Sequence, residues 1–210
     1  IHCGEAVGIL KIYSAEVAAF KVGDLQVLGL MSELIAAAMY HATKFGAQEL
    51  YKLATQDQLT GLANRALFLD CLRQGMQKAM LEQRVLGVLM LDMDGLKPIN
   101  DQLGHRFGDV ALQEIAQRIV QNTRQDDIVA RLGGDEFAVI LSSIPEQEMV
   151  KKAMNRIVQA CDLPFVFENM QIKLGASVGC AIFPDDAKNI EQLLECADLK
   201  MYENKRSKKA

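Results

Sequence analysis

The chain has 210 residues, half of them hydrophobic, which suffices for one ordinary domain with a real core plus an appendage. A formal charge of −4 at pH 7 argues against nonspecific nucleic-acid binding through a basic surface, leaving a small molecule or another protein as partner. Five cysteines (Cys3, Cys71, Cys161, Cys180 and Cys196) lack any C-x-x-C spacing, so they indicate neither a zinc site nor a disulfide framework and suit buried free thiols in a reducing cytoplasm.

The chain begins at Ile1 rather than Met, so it reads as a piece of a longer protein, with room upstream for a membrane anchor. Within it no apolar run approaches the roughly 18 residues that span a bilayer, and no signal-peptide pattern is present. Residues 7 to 13 read as a strand. From about 24 to 53 a long helix is expected, with Leu25, Leu28, Met31, Leu34, Ile35, Ala38 and Met39 forming an apolar stripe. That stripe suits either an amphipathic helix packed on the following domain or a dimerising helix.

A helix over 65 to 83 follows. The run Val85-Leu86-Gly87-Val88-Leu89-Met90-Leu91 then suits a central strand buried on both faces, ending in Asp92-Met93-Asp94. Alternation puts Asp92 and Asp94 on one face of the strand and Met93 on the other. A second helix spans 107 to 121, with Leu112, Ile115, Ala116 and Ile119 on one side. Residues 128 to 131 and 137 to 141 read as strands of a hairpin, turned by Gly133 and Gly134 and tipped by Asp135 and Glu136. A helix over 146 to 161, strands at 165 to 167 and 172 to 183, and a last helix from 190 to about 205 complete the order. This fits an α/β fold, a mostly antiparallel central sheet flanked by helices and preceded by the long N-terminal helix.

Carboxylates at a hairpin tip are ordinarily solvated. If this hairpin pairs beside the buried strand, however, Asp92 and Asp135 converge on one hard cation, and Mg²⁺ prefers few protein carboxylates plus substrate phosphates. Such a pair suggests phosphoryl or nucleotidyl transfer.

The string Gly133-Gly134-Asp135-Glu136-Phe137 is the signature of the GGDEF domain of bacterial diguanylate cyclases. Asp57-Gln58-Leu59-Thr60-Gly61-Leu62-Ala63-Asn64-Arg65 resembles the family's entry motif. The stretch from Leu91 to Asp109 resembles its nucleotide-binding segment, and Ala197 to Lys205 its closing helix. The resemblance covers about residues 55 to 210. Residues 1 to 54 resemble, more loosely, the end of a GAF-type sensory domain followed by a signalling and dimerisation helix.

The resemblance implies the core of nucleotidyl cyclase and polymerase palm domains, and condensation of two GTP into cyclic di-GMP with loss of two pyrophosphates. Each domain would hold one GTP, so the enzyme would act as a homodimer, and an upstream sensory domain would switch it by repacking the helix pair. Mg²⁺, or Mn²⁺, would be held by the side chains of Asp92 and Asp135 and the carbonyl of Met93. Asp135 would accept the proton of the attacking hydroxyl, with Glu136 a second contact and Lys97 stabilising the transition state. Backbone amides of Gly95, Leu96 and Lys97 would cradle phosphates. Asn100 and Asp109 would read guanine, with His105 a neighbouring contact, and Lys205 and Lys209 would bind the triphosphate.

Arg124 and Asp127 match the family's R-x-x-D site for inhibitory product. Asp94 matches the family too, its role open between the site and a structural acceptor closing the loop. Departures are Gly95 and Leu96 where an aromatic residue and Phe are common, Lys208 for a Gly, and Lys209 for an Arg, which loses the bidentate fork. The rival reading is a catalytically silent GGDEF module that senses GTP or cyclic di-GMP. An adenylyl- or mixed-nucleotide cyclase is disfavoured by Asp109. A cytoplasmic location is expected, and a phosphodiesterase domain has room to follow Ala210 in a longer parent.

Overall fold

A computed structural model describes residues 8–16 and 19–208, with the side chains of 41, 44 and 45 outside the description. The chain divides into two compact units, Ile1–Leu53 and Ala54–Ala210.

The first unit is dominated by α1 (Val22–Thr55), whose last two residues belong to the second. Asp24 starts it by reaching back to the Lys21 amide at 2.7 Å, half of a capping box, and Lys52 complements the dipole at the other end. Leu25, Leu30, Met31, Leu34, Ile35 and Met39 are exposed along it. Residues 8–13 have no strand pairing, so the expected strand over 7 to 13 is absent there, and Val7 lies outside the described residues. A strand needs a neighbour, and none is present among the described residues. Val22–Tyr40, 19 residues with mean hydropathy 1.4, is long and apolar enough to cross a bilayer by length and composition. Asp24, Gln26, Ser32 and Glu33 interrupt its apolar runs without lowering that average far.

In the second unit, α2 (Arg65–Glu82) leads into β1 (Val85–Met93), followed by α3 (Leu96–Leu103), α4 (His105–Gln121), β2 (Ile128–Gly133) and β3 (Glu136–Ile144). Then come α5 (Gln147–Cys161), β4 (Phe165–Phe167), β5 (Met170–Ile172), β6 (Ala176–Phe183) and α6 (Ile190–Ser207). The sheet runs β2-β3-β1-β6 with every pair antiparallel, which is the expected fold class. Leu89, Leu91 and Met93 of β1 join a core with α4 and α5, while Leu86, Val88 and Met90 join another with α2 and α6. Burial of β1 on both faces explains its uniformly apolar sequence.

Two elements differ from expectation. The strand expected over 172 to 183 divides, because β5 turns back on β4 as a separate hairpin through Glu168 and Asn169, both at positive φ. The segment 96 to 103 forms its own helix, α3, too short to show a period and carrying Pro98 in the first turn, where proline is tolerated. Gly104, at φ 91°, separates it from α4. Among the described cysteines, burial pushes the Cys161 thiol up to about 12 and Cys180 to about 11, so neither is a reactive thiolate.

Candidate active site

The acidic end of β1 is clamped from both sides. The Met93 amide donates to the Asp135 carbonyl at 2.9 Å, and the Asp94 amide to the Gly175 carbonyl at 2.9 Å. In the β1–β3 register Asp92 stands opposite Glu136, which puts both side chains on the α2/α6 face. Asp92 is buried. Burial pushes its carboxyl above the usual carboxylate range, Lys205 pulls it back, and the charges of Asp135 and Asp94 add to the rise. The Lys205 ammonium donates to Asp92 Oδ1 at 2.6 Å, and this bond outweighs burial to raise the lysine. Asp94 accepts from the buried Ser177 hydroxyl at 2.8 Å and from Lys208 Nζ at 3.1 Å, a pattern of a structural acceptor.

The hairpin tip is fixed by Arg131. Its Nε and Nη2 donate to the Gly134 carbonyl at 3.0 and 2.7 Å, and its Nη1 to both Asp57 oxygens at 3.1 and 3.2 Å. Asp57 also accepts from the amide and hydroxyl of Thr60 at 2.9 and 2.7 Å. Burial alone would raise this carboxyl; the Thr60 and Arg131 bonds hold it below its usual value. The entry motif reaches the hairpin because Ala63 bridges β2, donating to Val129 and accepting from Arg131. In the sequence Asp57 stands only as the first letter of the entry motif and residue 131 only as the end of a strand; an acid and an arginine flanking two glycine turns were the available signal for the pair.

Gly95 caps α3 at φ 84°, and the first intrahelical bond is from Ile99 to Gly95, which leaves the Leu96 and Lys97 amides at the helix start facing outward. Lys97 is exposed. Asn100 Oδ1 is buried without a hydrogen-bond partner, and Gly108 packs against it so closely that a Cβ there would lie 2.0 Å from that oxygen. An orphaned buried acceptor in this place fits a ligand donor. His105 and Asp109 are exposed on the first turns of α4, one turn apart and adjacent to that Asn100–Gly108 contact. Lys209 lies outside the described residues.

Arg124 and Asp127 come together away from this centre, in a pocket of about 150 Å³ that also takes Met149, Lys152 and Arg156 from α5. Asp127 accepts from the Arg124 amide at 2.8 Å and the Ser142 amide at 3.2 Å. Lys152 and Arg156 were missed, although two cations four positions apart on one helix face were visible in the sequence.

No cluster of three or more His, Cys, Asp or Glu side chains forms a protein-only metal cage among the described residues. Asp92 and Asp135 nevertheless suit a divalent ion shared with phosphates, and Asp92 already holds a cation, the Lys205 ammonium.

Residues 54–210 match the family described as Diguanylate cyclase, GGDEF domain, and the chain belongs to that family. It is 38% identical over 158 residues to the bifunctional diguanylate cyclase/cyclic di-GMP phosphodiesterase MucR of Pseudomonas aeruginosa, covering 75% of this chain and 23% of MucR. It is 35% identical over 156 residues to the cyclic di-GMP phosphodiesterase NbdA of the same organism, covering 74% of this chain and 20% of NbdA. The chain thus spans about a quarter or less of the length of these relatives. Among solved structures, the isolated GGDEF domain of TpbB (YfiN) from P. aeruginosa aligns with a TM-score of 0.70 at 37% identity, covering 72% of this chain and 89% of that one. The coiled coil and GGDEF domain of DgcB from Caulobacter crescentus, solved with c-di-GMP, aligns at 0.73 and 26% identity over 87% of this chain and 95% of that one.

Proposed function

We propose that this chain is the catalytic part of a diguanylate cyclase, condensing two GTP into cyclic di-GMP and two pyrophosphates. The observation that carries the reading is the meeting of Asp92, Asp135 and Lys205 at the end of β1. Asp92, Asp135 and the Met93 carbonyl would hold Mg²⁺ or Mn²⁺, which when bound neutralises charge at the reacting phosphates. Asp135, on a turn pinned by Arg131, accepts the proton of the attacking 3′-hydroxyl, with Glu136 beside it. Lys97 and the amides at the start of α3 receive phosphate charge, and Lys205 and Lys209 hold the triphosphate. Asn100 and Asp109 read guanine, with His105 a neighbouring contact.

The 150 Å³ pocket of Arg124 and Asp127 is the inhibitory product site, its anion-binding character supported by Lys152 and Arg156. The exposed apolar residues of α1 make that helix the dimerisation and signalling element, supported by the alignment over 87% of the chain with the coiled coil and GGDEF domain of DgcB. An upstream sensory domain would act through it. A cytoplasmic catalytic unit fits the nucleotide substrate.

Incubation with GTP and Mg²⁺, with products separated by chromatography, tests the reading. Cyclic di-GMP from the natural sequence and none from Asp135→Ala supports it. GTP bound without product by a dimeric protein supports instead a silent sensor module, the second reading, which the similarity to the phosphodiesterase NbdA keeps in view.

A further inference from the structure

We propose that Lys208 is a positioning residue of this site: it fastens the last turn of α6 to the edge of the sheet and thereby holds Lys205 over Asp92. The GTP arm of its test rests on the cyclase reading; the backbone arm does not.

β6 is an edge strand, paired among the described residues only with β1. Its outward backbone groups at Ala176 and Val178 therefore need partners from elsewhere. Both are supplied by α6. The Val178 amide donates to Asn204 Oδ1 at 3.3 Å, and Lys208 Nζ donates to the Ala176 carbonyl at 2.8 Å. Asn204 and Lys208 are one helical turn apart, so a single face of α6 takes two successive edge groups as a neighbouring strand would. Lys208 makes a second bond, 3.1 Å to Asp94 Oδ2, and Asp94 is itself anchored by the Ser177 hydroxyl and the Gly175 carbonyl. The lysine thus ties the helix end to a fixed point two residues beyond Asp92.

Lys205 lies three positions before Lys208, on the turn so held. The last turn of a helix leaves carbonyls without intrahelical partners and is where helices fray. Tyr202, Glu203, Asn204, Arg206 and Ser207 are all exposed, so packing alone does not restrain this turn. The restraint comes from three side chains: Asn204, Lys205 and Lys208. Lys205 cannot serve as its own anchor if its ammonium is to leave Asp92 for a phosphate. Asn204 and Lys208 carry the turn at that moment, and of these only Lys208 is charged and reaches two acceptors.

The test compares the natural sequence with Lys208→Met, Asp94→Asn and the double variant by amide hydrogen exchange and by binding of a non-hydrolysable GTP analogue with Mg²⁺. Expected are faster exchange in residues 203–207, analogue binding weakened about fivefold in Lys208→Met and less in Asp94→Asn, which leaves the Ala176 bond, and a melting temperature close to the parent's. The double variant loses no more than Lys208→Met alone, since that substitution already removes the bond to Asp94 along with the one to Ala176. Lys208→Arg, which keeps charge and reach, restores slow exchange. Unchanged exchange in Lys208→Met, or losses that add in the double variant, overturn the proposal. A parent protein that binds no GTP analogue refutes the cyclase reading instead, and the exchange arm still decides the role of Lys208.

Discussion

Gly108 and Asn100 show how little room the candidate guanine site has. A methyl group at 108 would sit 2.0 Å from Asn100 Oδ1 and force the amide to move. Gly108→Ala is expected to weaken GTP-analogue binding about tenfold, measurable by calorimetry, with a smaller effect on melting. Asp57 governs a different property. Its side chain is 22% exposed and that of its partner Arg131 is 12% exposed, so the pair is only weakly screened. Because the folded pKa is depressed, Asp57 contributes stability above its unfolded pKa and loses it as pH falls through the folded value. Asp57→Asn should therefore cost about 2 kcal/mol at neutral pH in urea unfolding, and the cost should shrink in acid. An equal cost at both pH values would contradict this account. At this scale the sequence was most legible where residue type and position coincide. The carboxylates at a strand end and a hairpin tip could be paired from alternation and turn chemistry. The ties of Asp94 to Ser177 and Lys208 could not, because they join residues 83 and 114 positions apart.

The elements were legible where a period ran long enough. Helices α2, α4, α5 and α6 and strands β1, β2 and β3 fall within a few residues of expectation, because a hydrophobic face repeats in each. The break between β5 and β6 escaped because the alternation that puts Ile172, Leu174, Ala176 and Val178 into one core continues through the bend. α3 escaped because eight residues hold barely two turns. One glycine inside a strand carried a readable signal. A Cβ at Gly179 would lie 2.0 Å from the Ala197 carbonyl and 2.2 Å from the Met201 amide, so β6 and α6 touch backbone to backbone there. Gly179→Ala has backbone as its obstacle, not a flexible side chain. It should cost about 3 kcal/mol by denaturant unfolding and displace α6, lowering triphosphate binding as well. α5 has a comparable dependence on Arg118. This buried side chain bonds Glu114 at 2.7 Å and donates to the carbonyls of Ala160, Cys161, Leu163 and Pro164 at the helix end.

At the scale of the molecule, the family match covers residues 54–210, where the proposed chemistry is placed, while its control is proposed to lie in α1. The sequence showed the stripe on that helix but not what covers it, since a single chain carries no record of its partner. Exposed apolar side chains at Leu30, Met31, Leu34 and Ile35 keep the question at the surface. The proposed inhibitory pocket gives a check on the assembled enzyme: Arg124→Ala should leave the initial rate near the parent's and abolish the slowing caused by added cyclic di-GMP, read from progress curves. The most direct measurement of the central claim is the initial rate of cyclic di-GMP formation from saturating GTP and Mg²⁺ as a function of protein concentration. Two domains each presenting one GTP predict a rate rising more steeply than linearly at low concentration and becoming linear once dimers are complete. No cyclic di-GMP at any concentration, or a strictly linear rate down to concentrations where sedimentation shows only monomer, would contradict it.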